Sequence, residues 1–389
     1  MGCDPGCYGL WMMRHPQVTL REEEKRLLWQ LRILGPQSRS ALAETLQISN
    51  GAISKLTRTL IGQALIEELP AEALAGRGRP TVPLRISPAG GYAVGLAIYA
   101  GLLEIALVDY AGDVVSLTSE KIEPIDPHDF ARHVDRRIHE LAIEHRLLGS
   151  RLYGVGFSVP GPALSRDGNR WHVVRNLPGW KDAPLRTIFE ETLRLPIWIE
   201  NDATAAALAE YYLGGLIRRC TTAVVILLGH GVGAGVVYEG RLMRGETGGA
   251  GEIGMFYPGN QPRPTTLDLI ATLQAAGCKV ESLADFADAI PGYEATIDHW
   301  LERAADQLLP TINSALAWFD PGAIRLMSPL PSAIMHGLVD RLNRRAIKWG
   351  DHIAKSEKER YDIEISQLGG AGSALGAALL PIHASIAQA

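Results

Sequence analysis

Residues 92–118 read YAVGLAIYAGLLEIALVDYAGDVVSLT. Three apolar runs, 92–98, 102–109 and 113–118, are parted by the short turns at 99–101 and 110–112. That spacing predicts three antiparallel strands in a meander. A meander is not a βαβ unit, so an α/β region that opens this way departs from the plain dinucleotide-binding order. Downstream, strands are expected at 152–159, 196–200, 222–228, 233–238, 323–327 and 362–366. Helices are expected near 127–147, 183–193, 202–214, 266–276, 293–319, 331–348 and 373–386. Strands alternating with helices to the C-terminus mark an α/β fold. A second glycine-rich meander occupies 222–245. Two meander-led halves predict two similar lobes with a cleft between them.

Upstream, the pattern changes to helix only. Residues 22–34 carry Leu27, Leu28, Leu31 and Leu34 near helical spacing and stop at Gly35-Pro36. Ser38 is the expected N-cap of a second helix, 39–46. After the turn Gln47-Ile48-Ser49-Asn50 comes a third helix, 51–63, with Ile53, Leu56, Leu60 and Ile61 facing inward. Two short helices around a tight turn make a helix-turn-helix. The outer face of the third helix then offers Ser49, Asn50, Ser54, Lys55 and Arg58, types suited to base edges and phosphates. An ordinary three-helix bundle with a polar outer face fits the same pattern. Strands at 65–69 and 82–86 flank Ala75-Gly76-Arg77-Gly78-Arg79-Pro80. This reads as a wing whose Arg77 and Arg79 reach a minor groove or its phosphates; the alternative is a solvated loop. The stretch 69–88 is read as wing plus linker.

The charge balance agrees with that division. Residues 1–88 hold 11 Lys+Arg against 8 Asp+Glu, whereas the whole 389-residue chain has a net charge of -5. A mildly basic head on an acidic body suits nucleic-acid binding. No apolar run reaches the roughly 18 residues of a membrane span, and the first twenty residues lack the layout of a secretory leader. The four cysteines, Cys3, Cys7, Cys220 and Cys278, are scattered. No disulfide framework is expected, and a reducing cytoplasm is the simplest setting. Cys220 and Cys278 are read as buried structural residues.

Several motifs follow in order: Gly154-Val155-Gly156-Phe157-Ser158-Val159-Pro160-Gly161-Pro162, Asn176-Leu177-Pro178-Gly179-Trp180, Glu200-Asn201-Asp202-Ala203-Thr204, Leu228-Gly229-His230-Gly231-Val232-Gly233-Ala234-Gly235, and Gly251-Glu252-Ile253-Gly254. A sugar site needs fixed polar donors and acceptors in a concave pocket. Asn176 on its Pro-Gly loop can donate and accept. Asn201 and Asp202 stand where a strand ends and a helix begins. Asp202 there can take or hold a hydroxyl proton, or simply cap the helix.

The order and spacing of these motifs resemble the ROK family of repressors and sugar kinases, over about residues 90–386. The resemblance implies an actin/hexokinase-like (ribonuclease H-like) fold with two lobes. It also implies sugar contacts at Asn176, Asn201, Asp202 and Glu252, and at Asp268 where the family has glutamate. The head and its Gly-Arg-Gly-Arg-Pro wing look like the repressor branch.

The departures from the family are informative. Its kinases carry Asp-x-Gly-x-Thr in the first hairpin, where this chain has Ala97-Ile98-Tyr99-Ala100-Gly101. A tyrosine in the turn obstructs phosphate, and no carboxylate remains for magnesium. In the second glycine loop, His230 stands for the kinase threonine. The family's zinc ligands are replaced by Met255, Gly259, Gln261 and Thr266, so no metal is expected. Nor are a cofactor or catalytic residues expected.

The expected organisation is thus a tail at 1–20, a winged helix-turn-helix with linker at 21–88, and a kinase-like domain at 89–389. Its lobes are expected at 89–200 plus the C-terminal helix, and at 201–370. The expected function is a sugar-responsive DNA-binding regulator, a repressor released by a sugar or sugar derivative. The expected partners are a palindromic operator and a second copy of the chain, as homodimer or dimer of dimers. The alternatives are a sugar kinase with an accessory head, and a constitutive DNA binder with an inert sensor.

Overall fold

The computed structural model describes residues 18–70, 82–99, 101–123, 125–165, 167–173, 179–286, 291–346 and 362–387. Its contacts divide the chain into residues 1–200 with 377–389, and residues 201–376.

The first unit opens with the head: α1 (Glu22–Leu34), β1 (Gln37–Ser38), α2 (Arg39–Leu46), α3 (Asn50–Gly62), β2 (Ile66–Glu68) and β3 (Pro83–Ile86). Gly35 ends α1 at φ 75°, where a side chain would be strained, and its N–H returns to Leu31 O at 3.0 Å. Ser38 caps α2 by accepting from Ala41 N at 3.2 Å, and Ser49 caps α3 by accepting from Ala52 N at 3.2 Å. Leu27, Leu28, Leu31, Leu42, Leu46, Ile53, Leu56 and Leu60 are buried. Two residues expected in this core are not in it. Leu34 is exposed at the end of α1, and Ile61 is half-buried. Helical spacing drifts each off the inner face, and Thr57 takes the inner position on α3 instead.

The three short strands pair in the order β1-β3-β2, all antiparallel. Strand β1 was not foreseen, because two polar residues carry no strand pattern. Of the expected wing and linker, 71–81 lie outside the described residues, and Pro83–Ile86 form a strand. Ser87 N donates to Leu65 O at 3.0 Å, and the next strand starts at Tyr92.

The body of this unit contains β4 (Tyr92–Tyr99), β5 (Leu102–Asp109), β6 (Val114–Lys121), α4 (Pro127–Glu144), β7 (Leu152–Val159), α5 (Leu185–Leu193) and β8 (Ile197–Asn201). The strands form one sheet, order β6-β5-β4-β7-β8, in which β4–β5–β6 is the antiparallel meander and β4–β7 is parallel. One face buries Leu96, Ile105, Val155 and Phe157 under α4 and α5. Phe157, Phe130, Phe189 and Trp180 cluster there with ring centroids 5.2–5.9 Å apart.

The head is packed onto this body. Arg32 of α1 is buried, donates from Nη1 to Ala111 O at 3.0 Å and from Nη2 to Tyr110 O, and lies 5.4 Å from the Tyr110 ring centroid. Tyr110 stacks on Tyr153 at 4.9 Å. Arg151 donates to Gly90 O and, at 3.4 Å, to Gln63 O after α3. Trp29 meets His383 edge-on at 6.4 Å.

The second unit runs through α6 (Asp202–Tyr212), β9 (Thr222–Leu228), β10 (Val232–Tyr238), β11 (Arg241–Leu242), α7 (Thr266–Ala275), α8 (Glu294–Phe319), β12 (Ala323–Met327), α9 (Ser332–Arg345) and β13 (Ile363–Ile365). Helix α10 (Gly372–Ile386) starts in this unit and ends in the first. The sheet order is β11-β10-β9-β12-β13, with β9–β10 antiparallel and β9–β12–β13 parallel. Val224, Ile226, Trp300, Leu308, Ile312, Leu326 and Leu338 anchor its core. Cys220 and Cys278, expected to be buried, are both half-buried.

Candidate functional site

Two sets of residues carry chemistry. On the head, Asn50, Ser54 and Arg58 lie four residues apart on one stripe of α3, with Lys55 beside them, and all are exposed. Ser54 Oγ donates to Asn50 O at 2.7 Å. Ser49 is exposed but already used as the cap, so its hydroxyl serves the helix first. A Cβ on Gly51 would meet nothing nearer than Ser49 Oγ at 3.9 Å outside its own stretch of helix. The helix therefore presents a bare start and a polar, cationic stripe. Arg77 and Arg79 lie outside the described residues, as does Asn176.

In the second unit the structure brings together Asn201, Asp202 and Glu252. Asn201 caps α6: Oδ1 accepts from Ala203 N at 2.9 Å and Thr204 N at 3.3 Å, and Nδ2 donates to Glu252 Oε1 at 3.3 Å. Asp202 Oδ1 accepts from Ala203 N at 2.8 Å. Burial raises the Asp202 carboxyl to about 6 against this hydrogen bond, and the negative Glu252 adds to the rise. Burial also raises Glu252.

Backbone contacts hold Glu252 in place. Gly251, at φ 88°, accepts from Ala234 N at 2.8 Å, and a Cβ on it would lie 1.9 Å from Ala234 O. Two carboxyls and an amide within reach of one another form an acceptor-rich corner suited to hydroxyl groups.

The glycine loop 229–235 divides in two. A Cβ on Gly233 would meet Ala203 Cβ at 2.8 Å, and one on Gly235 would meet Ala203 O at 2.5 Å. These two glycines let α6 sit against β10. Gly229 and Gly231 have nothing within 4 Å of such a Cβ.

Asp268 is placed differently from the other expected sugar contacts. It sits in the first turn of α7, and its Oδ2 accepts from Trp300 Nε1 at 2.8 Å and pairs with Arg303, both on α8. It makes no hydrogen bond to Asn201, Asp202 or Glu252. Met255 is 82% exposed on the short 3-10 turn after Glu252.

The first hairpin contains a group that sequence reasoning missed. Across the β4–β5 ladder, Ala97 faces Glu104. Glu104 is buried, its Oε1 accepts from Tyr99 Oη at 3.3 Å, and burial pushes its carboxyl up to about 7. Tyr99 ends β4 and Glu104 lies within β5, so the pair flanks the turn of the first hairpin. A charged residue inside the run LLEIALVD was the available signal.

The sequence matches the ROK family over residues 94–383. The uncharacterised protein y4fQ of Sinorhizobium fredii is 28% identical over 367 residues, 94% of this chain and 91% of its own. The DNA-binding transcriptional repressor Mlc of Escherichia coli is 25% identical over 378 residues, 89% of each chain. Among solved structures, a ROK family transcriptional regulator homologous to E. coli Mlc superposes at a TM-score of 0.68 and 22% identity, over 94% of this chain and 96% of that one. A ROK hexokinase from Thermus thermophilus superposes at 0.56 and 25% identity, over 74% of this chain and 97% of its own. The fold is actin/hexokinase-like behind a winged helix-turn-helix head. With the family match spanning well over half its length, this chain belongs to the ROK family.

Proposed function

We propose that the protein is a sugar-responsive DNA-binding transcriptional regulator, a repressor released from its operator when a sugar or sugar derivative binds. The observation that carries this reading is the exposed Asn50–Ser54–Lys55–Arg58 stripe on a head packed through buried Arg32 onto a ROK domain. Asn50 is assigned to base edges, and Lys55 and Arg58 to phosphate, with Ser49 and Ser54 beside them. Arg77 and Arg79 are assigned to the wing contact. Asn201, Asp202 and Glu252 are assigned to sugar hydroxyls, with Asn176 completing the set. Asp268, assigned with them by resemblance, also anchors α7 to α8 through Trp300 and Arg303. The chain acts as a homodimer on two half-sites about 34–36 Å apart, and it works without phosphoryl transfer or metal.

A thermal-shift panel of pentoses, hexoses, amino sugars and their phosphates, with ATP–Mg in a separate lane, tests the sensor. A ligand that binds only the folded state raises the melting temperature. The hit is then added to the protein on DNA fragments selected from random sequence. Release by the sugar is the expected result; equal binding of selected and random DNA at about 150 mM salt would sink the reading. A flat sugar panel with selective DNA binding would leave a constitutive regulator.

The raised Asp202 carboxyl favours one second reading, because a carboxylate poised near neutrality suits a general base for sugar phosphorylation. ATP-dependent phosphorylation of a hexose, lost in Asp202→Asn, would establish it.

A further inference from the structure

Beside the exposed stripe of α3 lies a concavity of about 410 Å³ lined by Arg39, Ser54, Arg58, Ile61 and Glu68. Three elements meet there: α2 brings Arg39, α3 brings Ser54, Arg58 and Ile61, and β2 brings Glu68. Arg39 was not among the residues that the sequence pattern singled out. Its guanidinium is gripped on two sides. Nε donates to Thr57 Oγ1 at 3.2 Å, and Nη2 donates to Glu68 Oε1 at 2.6 Å. The Thr57 hydroxyl donates in turn to Ile53 O at 2.9 Å, so its oxygen is turned to Arg39 as an acceptor.

Nη1 of Arg39 makes no hydrogen bond among the described residues. Arg58 is exposed and has no hydrogen-bond or ion-pair partner among them either. Half-exposed Ile61 forms an apolar wall. Two arginines and one glutamate leave the lining one positive charge in excess, which matches a single phosphodiester. A half-exposed pair such as Arg39–Glu68 contributes little to stability by itself, so stability is a weak reason for the arrangement.

We propose that this notch seats one DNA backbone phosphate between Arg39 and Arg58, and that Thr57 and Glu68 are positioning residues that hold the Arg39 fork open to it. The inference rests on the DNA-binding reading above. A guanidinium offers two parallel donors that fit phosphate oxygens, and one already fixed in place loses less side-chain freedom on binding. Ser54 and Arg58 belong to the reading stripe as well, so a phosphate held here would set the depth and angle at which α3 enters the groove.

The test is fluorescence anisotropy of the full chain on a random-sequence duplex over a series of NaCl concentrations. Each neutralised phosphate contributes about 0.9 to the slope of log K against log salt. The double substitution Arg39→Gln with Arg58→Gln is expected to reduce that slope by about 0.9, because one phosphate is lost. An unchanged slope with weaker binding at every salt would mean that Arg39 only braces β2, and would overturn the proposal. A reduction of about 1.8 would mean two separate phosphates and would also overturn it.

Arg39→Lys covers a double variant that does not fold. It keeps the charge and the pair with Glu68 but loses the fork. Binding several-fold weaker at the original slope is expected, and affinity equal to the unsubstituted protein's would overturn the notch. If the unsubstituted protein fails to bind the duplex at any salt, the DNA-binding reading fails and the notch with it. Binding by that protein with no slope change in the double variant removes the notch alone.

Discussion

At Asp202 burial and hydrogen bonding pull in opposite directions. The Ala203 amide favours the carboxylate, while burial and the nearby Glu252 favour the acid. Burial wins, and the carboxyl titrates near 6 instead of 3.8. The folded state therefore holds this proton more tightly than the unfolded chain does. Asp202 costs stability progressively as pH climbs through that window. Ligand binding runs the other way if the carboxylate accepts a sugar hydroxyl: affinity rises as pH climbs through about 6. Isothermal titration of the sugar found by thermal shift should show binding about tenfold weaker at pH 5 than at pH 8. A flat profile would remove Asp202 from the contact set. Glu104 follows the same logic on β5 of the first hairpin, where burial raises its carboxyl to about 7 beside the Tyr99 hydroxyl.

Between elements, the second unit depends on an ionic cluster that no motif announced. Glu210 of α6 is fully buried, pairs with Arg325 of β12, and accepts from Ser366 Oγ. Arg325 also donates to Gly214 O at 2.9 Å and to Glu364 of β13 at 3.1 Å. Arg219 closes the cluster on Glu364 at 2.9 Å. This network ties α6, which carries Asn201 and Asp202 at its start, to the far strands of the sheet. Arg325→Met leaves Glu210 buried without its partner and should cost about 3–5 kcal/mol in urea unfolding. Replacing both Arg325 and Glu210 with apolar residues should cost less than the single change. An additive loss would mean that the charges act independently.

For the whole molecule, the proposed function turns on the junction between head and body. Arg32 anchors α1 to the β5–β6 turn, Arg151 reaches the end of α3, and Trp29 meets His383 on α10. Under the proposed function, α10, which begins in the second unit and ends in the first, is the candidate route from the assigned sugar residues to the head. A coupling of about 1–3 kcal/mol would change DNA affinity 5- to 150-fold. Arg32→Met should leave DNA binding without sugar near its original strength and reduce the sugar-induced release. Anisotropy on the selected operator with and without sugar measures both quantities. Full release in the variant would rule out this junction as the route.

Much of this architecture could be read before any coordinates. The boundaries of α1, α2, β5, β7, β9 and β12 coincide with their expected ranges, because each is a run of one period, and Gly35, Pro160 and Gly229 stop α1, β7 and β9 while Ser38 starts α2. The corner of Asn201 and Asp202 was legible as well, since the end of a strand and the cap of a helix are written in adjacent residues, whereas the Asn201–Glu252 hydrogen bond joins residues 51 apart. What could not be read there depends on partners distant in sequence. The Arg39–Glu68 grip spans 29 residues, the Arg32 anchor 79, and the Arg325–Glu210 pair 115. The commitment of Asp268 to Trp300 and Arg303 is of the same kind, 32 and 35 residues away. A charge in a linear sequence does not name its counter-charge. Only the folded chain, by removing water from both, selects which one it meets.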